Sequence, residues 1–467
     1  MIVSLEHRHL CVTGVVAAVG AAIVSMAACG ATPRPRNLLF ITLDTMRADR
    51  LPPYGFSGVD TPALDRLAEE GVVFEQAFAA VPLTLPSHAS LFTGLYPPRL
   101  NLRDNVAAPL APEFTTMAEV LRERGLMTGA FVASGVLGAS RGLDQGFVVY
   151  NDAAVTGCAN VPRARRPANE VVDEALSWLG EQSTPFFAWV HLYDTHRPYK
   201  LPSDYEGRYD NPYLEAIAFE DSQIARLIDH LDARRLLDNT LVVVTGDHGE
   251  SLGDHGEDSH GIFIYQEALH VPLIVRGPGL LPRRVSAVTR LVDVMPTVLE
   301  MFGAPVPELD GVSLTSFFSR ADVDPNHEVY AESLYSQRFG WSGLRSLRAD
   351  RYKVIEAPRP ELYDLATDPA EERNLFEQKH HVGAAMLERL RMIGGPSGQT
   401  LGPRAGIDRA AAERVASLGY IGASADAVPA PASSDADPKD YIAMFNQMMA
   451  MQAQNAVLFQ HRRQECR

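Results

Sequence analysis

The run Asn37-Leu38-Leu39-Phe40-Ile41-Thr42-Leu43-Asp44 decides the fold class. Its apolar side chains do not alternate with polar ones, so it reads as a central strand covered on both faces, with a carboxylate where the strand ends. Short runs of the same kind recur at Val72–Phe74, Thr128–Val132, Phe186–Leu192, Leu241–Thr245 and Leu273–Val275. Helical patterns lie between them: Thr61–Glu70, Phe114–Arg124, Asn169–Glu181, Tyr213–Leu237 and Asp293–Phe302. Thr61 followed by Pro62 is a helix-start signal, and Thr84 two residues before Pro86 is another. The alternation predicts an α/β fold with a largely parallel sheet flanked by helices. Ligands of such sheets bind beyond the carboxyl ends of the strands. Asp44, Asp247-His248 and the stretch His191 to His196 all fall there, so these strand ends are where chemistry is expected.

Outward from this body the texture changes. Residues 10–28 are apolar and rich in small side chains, follow a short head with His7, Arg8 and His9, and end in Met26-Ala27-Ala28-Cys29-Gly30. This predicts an export signal over 1–29, read first as a lipoprotein signal with Cys29 as the lipidated residue, and otherwise as a simple cleaved signal or an uncleaved anchor. Each places the body outside the cytoplasm, as a periplasmic or outer-membrane lipoprotein on the first reading. Downstream, 36–323 reads as the catalytic domain and 324–394 as a small antiparallel C-terminal subdomain, with strands at Gly343–Arg348, Tyr352–Ile355 and Glu361–Leu365. Residues 395–438 read as a linker and 439–467 as a Met- and Gln-rich helical tail.

The 467 residues carry 58 acidic against 42 Lys and Arg side chains, a net charge of −16. That balance lacks the basic footprint nucleic acid requires, so nucleic acid is not an expected partner. Four scattered cysteines, Cys11, Cys29, Cys158 and Cys466, make neither a disulfide framework nor a CxxC metal pair.

Asn37–Asp44 with Arg47 and Asp49, Thr84-Leu-Pro-Ser-His88-Ala-Ser-Leu-Phe-Thr-Gly94, Thr245-Gly-Asp-His-Gly-Glu250, Val271-Pro-Leu-Ile274 and Glu361-Leu-Tyr-Asp-Leu365 with Asp368-Pro369 and Asn374-Leu375 come in this order along the chain. Together they resemble a sulfatase of the alkaline-phosphatase superfamily over about residues 36 to 376. The resemblance implies a mixed sheet flanked by helices with a small C-terminal α+β subdomain. It also implies one divalent metal ion, an anionic ester substrate and hydrolysis of sulfate esters. The metal ligands it implies are Asp44, Thr84, Asp247 and His248. That oxygen-rich set with one imidazole suits Ca²⁺, Mn²⁺, Zn²⁺ or Mg²⁺ without choosing among them. Taken singly, Asp44 and Asp247 read equally as caps of the helices that follow their strands.

Three positions depart from the family. Thr84 stands where sulfatases carry the Cys or Ser that becomes formylglycine, His88 where they carry Arg, and Thr45 where they carry a second Asp. An unmodified hydroxyl still serves as nucleophile if a divalent cation lowers its pKa while also neutralising the ester oxygens. Relatives that use Ser or Thr in this way include phosphodiesterases, phosphonate hydrolases and phosphoglycerol-type transferases. These are the alternative activities. A non-catalytic surface lipoprotein binding anionic glycans is the alternative of another class.

The resemblance makes Thr84, His196 and His88 the catalytic candidates, with His196 as leaving-group donor. His260, Lys200 and Asn105 are the substrate-binding candidates. His191 is expected to be a packed structural histidine and His255 to orient its loop. Asp194, His196 and His260 form the alternative of a second metal site, ranked behind a single ion.

Overall fold

Seven-residue strand β1 (Asn37–Leu43) is buried along its whole length and runs parallel to β5 (Phe186–Leu192) on one side and β6 (Thr240–Gly246) on the other. Both neighbours are also entirely buried. The unbroken apolar runs are therefore the centre of the sheet, as their lack of alternation requires. The computed structural model describes residues 34–152, 165–319, 327–396, 398–401 and 435–451. The segments read as export signal, most of the linker and the end of the tail lie outside the described residues.

The main sheet among the described residues has eight strands in the order β4-β3-β5-β1-β6-β7-β2-β8. The remaining members are β2 (Val72–Phe78), β3 (Met127–Val132), β4 (Val149–Asn151), β7 (His270–Arg276) and β8 (Arg283–Arg290). β7 runs antiparallel to both β6 and β2, which makes the sheet mixed. β2 continues past the expected Phe74 through an irregularity near Glu75 and Gln76, where its register against both neighbours shifts. β4 and β8 were not expected; they lie at the two sheet edges, one only three residues long and the other partly exposed.

Helices α1 (Pro62–Glu70), α2 (Thr84–Thr93), α3 (Met117–Glu123), α4 (Ala168–Glu181), α5 (Pro212–Ala233) and α6 (Val294–Met301) match the expected segments within a few residues. α3 begins later than expected, at a capping box between Thr116 and Glu119. Pro62 opens α1 as expected, but the Thr61 hydroxyl bonds the Asp65 carboxylate rather than a backbone N–H.

α2 matters most for the site. All ten of its side chains are buried. Leu83 enters in extended conformation, and Gly94 ends the helix at φ 67°, a left-handed backbone that glycine adopts without a Cβ clash. Phe92 packs against Trp189 of β5 (4.6 Å between ring centroids) and Phe40 of β1 (5.6 Å), which pins the helix to the sheet.

A second sheet, β9 (Val329–Ser333), β10 (Leu344–Ala349), β11 (Tyr352–Glu356) and β12 (Glu361–Asp364), is antiparallel throughout, with α7 (His380–Gly394) packed on it. This is the expected small C-terminal subdomain. Residues 442–451 of the tail are helical after a turn at Pro438–Asp440. No helix of the described residues is long and apolar enough to cross a membrane.

Candidate metal centre and active site

Asp44 follows β1 directly, and Asp247 and His248 follow β6. Because the two strands are parallel and in register from Asn37↔Thr240 to Leu43↔Gly246, their C-terminal residues arrive side by side. Asp44, Asp247 and His248 each offer a ligand atom, all within 4.8 Å of one another, and all three residues are fully buried. The fit to a cation is visible in what the protein leaves unsatisfied. Asp44 Oδ1, Asp247 Oδ2 and His248 Nε2 have no hydrogen-bond partner. Buried polar atoms are rarely left so without an ion or water to claim them.

The other atoms of these groups are firmly held. Asp247 Oδ1 accepts from the backbone N–H of Thr45 (3.2 Å) and of His248 (2.8 Å). His248 Nδ1 donates to the Gly249 carbonyl (2.9 Å), which turns Nε2 to the centre as an acceptor. The Asp44 backbone carbonyl accepts from the Thr195 hydroxyl (2.5 Å). Asp44 and Asp247 thus do not cap the helical turns that follow their strands, at Ala48–Arg50 and Asp254–Gly256, which have no side-chain cap. Each has one oxygen without a hydrogen-bond partner at the shared centre.

Burial without a counter-ion raises the Asp44 carboxyl to about 7, against the pull of His260 and of its hydrogen bond with Thr84. Burial also lifts Asp247 well above the carboxylate range, and the neighbouring Asp44 charge adds to the lift. Burial holds His248 well below its ordinary value, with His260 adding to the depression. Two carboxylates that resist ionisation together and a neutral imidazole form a set whose charge a divalent cation would balance.

Thr84, the first residue of α2, is fully buried, and its side chain hydrogen-bonds Asp44. It therefore stands beside the Asp44, Asp247 and His248 triad. Next to it the Leu85 N–H donates to Asn105 Oδ1 (2.8 Å), while Asn105 Nδ2 has no partner and is buried. Asn105 thus sits at the same helix end as the hydroxyl.

His88 lies one turn further along α2, with Nδ1 2.8 Å from the Thr84 carbonyl and Nε2 3.0 Å from Thr42 Oγ1. Trp189 Nε1–H donates to the same Thr42 hydroxyl (3.0 Å). One chain of donors satisfies all of these contacts: Trp189 to Thr42, Thr42 to His88 Nε2, and His88 Nδ1–H to the Thr84 carbonyl. Burial, with His191 nearby, holds the His88 imidazole well below its ordinary pKa, which agrees with this neutral form.

His196 and His260 sit above the triad. The His260 ring lies 4.6 Å from that of His248, and the His196 ring 5.1 Å from that of His260. His196 stacks on Tyr193 at 4.3 Å, and its Nδ1 contacts the Arg197 carbonyl. Burial and the proximity of His260 push His196 well below its ordinary value. Burial also opposes the charge on His260, but Glu250, 3.2 Å from Nδ1, outweighs it and the pKa is raised. Lys200 is exposed, with Arg165 near enough to lower its pKa further than burial alone does. Asp194 caps α4 by accepting from the Ala168 N–H (2.9 Å).

Two residues near the centre escaped the sequence reading. His191, expected to be merely packed, has Nε2 3.4 Å from Asp44 Oδ2, and its Nδ1 accepts from the Ala133 N–H (3.3 Å). That pattern puts the ring proton on the side of Asp44, where it orients the carboxylate. Glu250, the last residue of the Thr245–Glu250 stretch, holds His260 and carries an unpartnered, buried Oε2. The loop expectation for His255 has a matching geometry: the ring bonds Glu267 Oε1 (2.7 Å) and lies 3.1 Å from the Glu371 carbonyl.

Comparison with known proteins agrees with this arrangement. Residues 36–304 match the sulfatase family model, and 253–393 match the model of the C-terminal region of N-sulphoglucosamine sulphohydrolase. The ulvan-active sulfatase of Formosa agariphila is 26% identical over 398 residues, covering 74% of this chain and 78% of that protein. The delta 4,5-hexuronate-2-O-sulfatase of Bacteroides thetaiotaomicron is 25% identical over 422 residues, covering 75% and 87%. Among solved structures, a phosphonate monoester hydrolase of Agrobacterium radiobacter superposes with a TM-score of 0.65 at 24% identity, over 77% of this chain and 95% of that one. A metal triad at parallel strand ends, a hydroxyl at the adjoining helix start and a family match over more than half the chain agree. The chain belongs to the sulfatase family, a metal-binding hydrolase of anionic esters in which Thr84 replaces the residue that becomes formylglycine.

Proposed function

We propose that the chain hydrolyses monoanionic esters, sulfate monoesters first among them, with the unmodified Thr84 hydroxyl as nucleophile. The observation that carries the reading is Thr84 itself, buried at the start of α2 and hydrogen-bonded to Asp44 of the metal triad. When bound, the ion supplies positive charge to the ester oxygens and acidifies a hydroxyl it contacts. The protein's part is placement. Thr84 Oγ1 attacks sulfur in line as its proton passes to the Asp44 carboxylate, and the bond from sulfur to the alcohol oxygen breaks. His260, whose charge Glu250 favours, gives its proton to the departing alcohol. His196, held neutral with Nδ1 on the Arg197 carbonyl, is not the donor expected from the sequence. Water then attacks the sulfur of the Thr84 adduct, giving sulfate; Asp44 returns its proton to the Thr84 oxygen, and of the two protons that water loses one goes to His260 and one to solvent. His88 supports this by fixing the first turn of α2. Asn105, whose buried Nδ2 has no partner beside the helix start, is the candidate donor to an ester oxygen, and exposed Lys200 is the candidate contact for the outer part of the substrate.

Charge supports a monoanionic substrate. Asp44, Asp247 and Glu250 bring three carboxyl groups to the centre, and the neutral His88 replaces the family's arginine. A second negative charge on the ester would meet less compensation here than in a site that keeps the arginine.

A second reading, hydrolysis of phosphate diesters or phosphonate monoesters, is favoured by the same Thr84. These esters also carry one charge, and a phosphorylated threonine is open to in-line attack at phosphorus. We further propose export as a lipoprotein, on the strength of the apolar segment ending at Cys29. Purified protein loaded with Ca²⁺, Mg²⁺, Mn²⁺ or Zn²⁺ and assayed on aryl sulfate, phosphate monoester, diester and phosphonate decides among the chemistries. Fastest turnover of the sulfate supports the first reading and of the diester or phosphonate the second, while no turnover overturns both. Membrane fractionation of cells making Cys29→Ala tests the anchor, which predicts release from the membrane.

A further inference from the structure

The tail segment 435–451 lies beyond both matched family regions, yet it is tied to the loop that carries His260. Asn446 makes the tie. Its Nδ2 donates to the Gly256 carbonyl (2.8 Å), and its Oδ1 accepts from the Asp258 N–H (3.1 Å), two residues before His260. One side chain thus holds the outer backbone of the loop at two adjoining points.

The rest of the segment is anchored independently. Phe445 is fully buried, with its ring 5.5 Å from Phe339 and 6.3 Å from Tyr335. Tyr441 stacks on Trp341 at 5.2 Å and 10°. Lys439 pairs with Glu361 and Asp437, and Asp437 accepts from the Arg359 backbone N–H (3.2 Å). The helix is therefore fixed to the C-terminal subdomain, and Asn446 transmits that fixed position to the loop.

On the inner side the loop is organised around Glu257, which accepts from the N–H groups of Ile262 (2.9 Å) and Phe263 (3.1 Å). Ser251 N–H bonds the Ser259 carbonyl (2.8 Å), closing the loop just before His260. Backbone in the left-handed region at Leu252, Gly253, His255, Gly256 and Gly261 makes the loop irregular. Its own bonds include Gly253 N–H to the Glu257 carbonyl (2.9 Å) and Gly256 N–H to the Gly253 carbonyl (3.0 Å), and Asn446 adds the contacts at the Gly256 carbonyl and the Asp258 N–H.

We infer that Asn446 is a positioning residue: it sets the loop from Gly256 to Gly261, and through it the place of His260 against the ester. The inference rests on the reading of His260 as a substrate-facing group. Full-length Asn446→Ala and Asn446→Asp are compared with the wild type, alone and with His260→Gln, in kinetics and in backbone hydrogen exchange. The expected result is exchange over residues 255–261 faster by about 10-fold with the central strands unchanged. Turnover is expected to fall in kcat/KM by about 10- to 100-fold in Asn446→Ala and by less in Asn446→Asp, which keeps the acceptor for Asp258. With His260→Gln present, Asn446→Ala is expected to add no further loss. Unchanged exchange in the loop, or a kinetic loss that adds fully to that of His260→Gln, overturns the inference. If the wild type turns over none of the esters, the proposed function fails, and loop exchange alone then decides the role of Asn446. Should Asn446→Ala not fold, Asn446→Asp provides the same comparison.

Discussion

The His88 imidazole bridges β1 and the start of α2, with Nδ1 on the Thr84 carbonyl at 2.8 Å and Nε2 on the Thr42 hydroxyl at 3.0 Å. The residue that replaces the family's arginine is therefore tied into the fold around the nucleophile. It touches Thr84 through the backbone, and its ring packs 5.1 Å from His191 and 5.5 Å from Trp189.

His88→Ala takes the acceptor from the Thr42 hydroxyl proton and a donor from the Thr84 carbonyl in a dry interior and leaves a cavity. The expected loss is about 3 kcal/mol of stability, from an unsatisfied buried polar group and the void together. His88→Arg, which restores the family residue, is expected to destabilise as well, because this position is closed in by the sheet and has no solvent access. Urea unfolding of both variants checks this; a restored arginine that folds as stably as the wild type would contradict the packing account.

Asp247→Asn should separate metal binding from stability. The amide keeps an oxygen for the Thr45 and His248 N–H groups but loses the charge at Oδ2. Metal affinity is expected to fall by about 100-fold or more. The metal-free variant is expected to melt at or above the wild type, since a buried carboxyl that resists ionisation has been removed. Calorimetric titration and melting with and without chelator report both effects. Metal binding also stabilises the wild type by mass action, by about 2.7 kcal/mol at a hundred times the dissociation constant.

His255 predicts a pH dependence away from the metal. Burial opposes its charge, but the Glu267 carboxylate 2.7 Å away outweighs it, and the pKa rises to about 8. The folded value lies above the ordinary 6.5, so this stabilisation is complete below about pH 6.5 and is lost as the pH rises through 8. The full shift corresponds to about 2 kcal/mol, and solvent screening at this partly exposed pair reduces the expected amount to about 1 kcal/mol. The stability difference between wild type and His255→Gln is therefore expected to shrink by that amount between pH 6 and pH 9. A difference that stays constant across this range would mean that the imidazole does not change charge there.

Asn105→Ala removes the acceptor for the Leu85 N–H at the helix start and an amide group from the same buried corner. Stability is expected to fall by about 1 kcal/mol, as for a lost helix cap. Turnover is expected to fall further, by about 10²-fold, as for a lost oxyanion donor. Equal free-energy losses in stability and in kcat/KM would reduce Asn105 to a cap.

The sequence is most informative where the strand ends and the motifs coincide. Asp44, Asp247, His248 and Thr84 were legible because unbroken apolar runs mark the central strands, and parallel neighbours deliver their last residues to one place. Edge strands gave less. Arg283–Arg290 alternates charged and apolar residues and is only partly buried, so its composition resembles that of a loop. Glu75 and Gln76 masked the second half of β2 because the strand is irregular there. The contact of His191 with Asp44 depends on β1–β5 register, which pairs His191 with Thr42 and cannot be read from either segment alone. The pairing of Glu250 with His260, and the grip of Asn446 on Gly256 and Asp258, arise from a loop and a tail folding back, for which no periodicity exists to read.

The central claim is that the unmodified Thr84 hydroxyl carries the reaction. Its most direct measurement is turnover of the metal-loaded Thr84→Ala and Thr84→Ser variants on whichever ester the wild type hydrolyses fastest. The account predicts loss of at least about 10³-fold in kcat for Thr84→Ala, with substantial activity kept by Thr84→Ser. Thr84→Ala turning over at the wild-type rate, with its fold and bound metal intact, would contradict it.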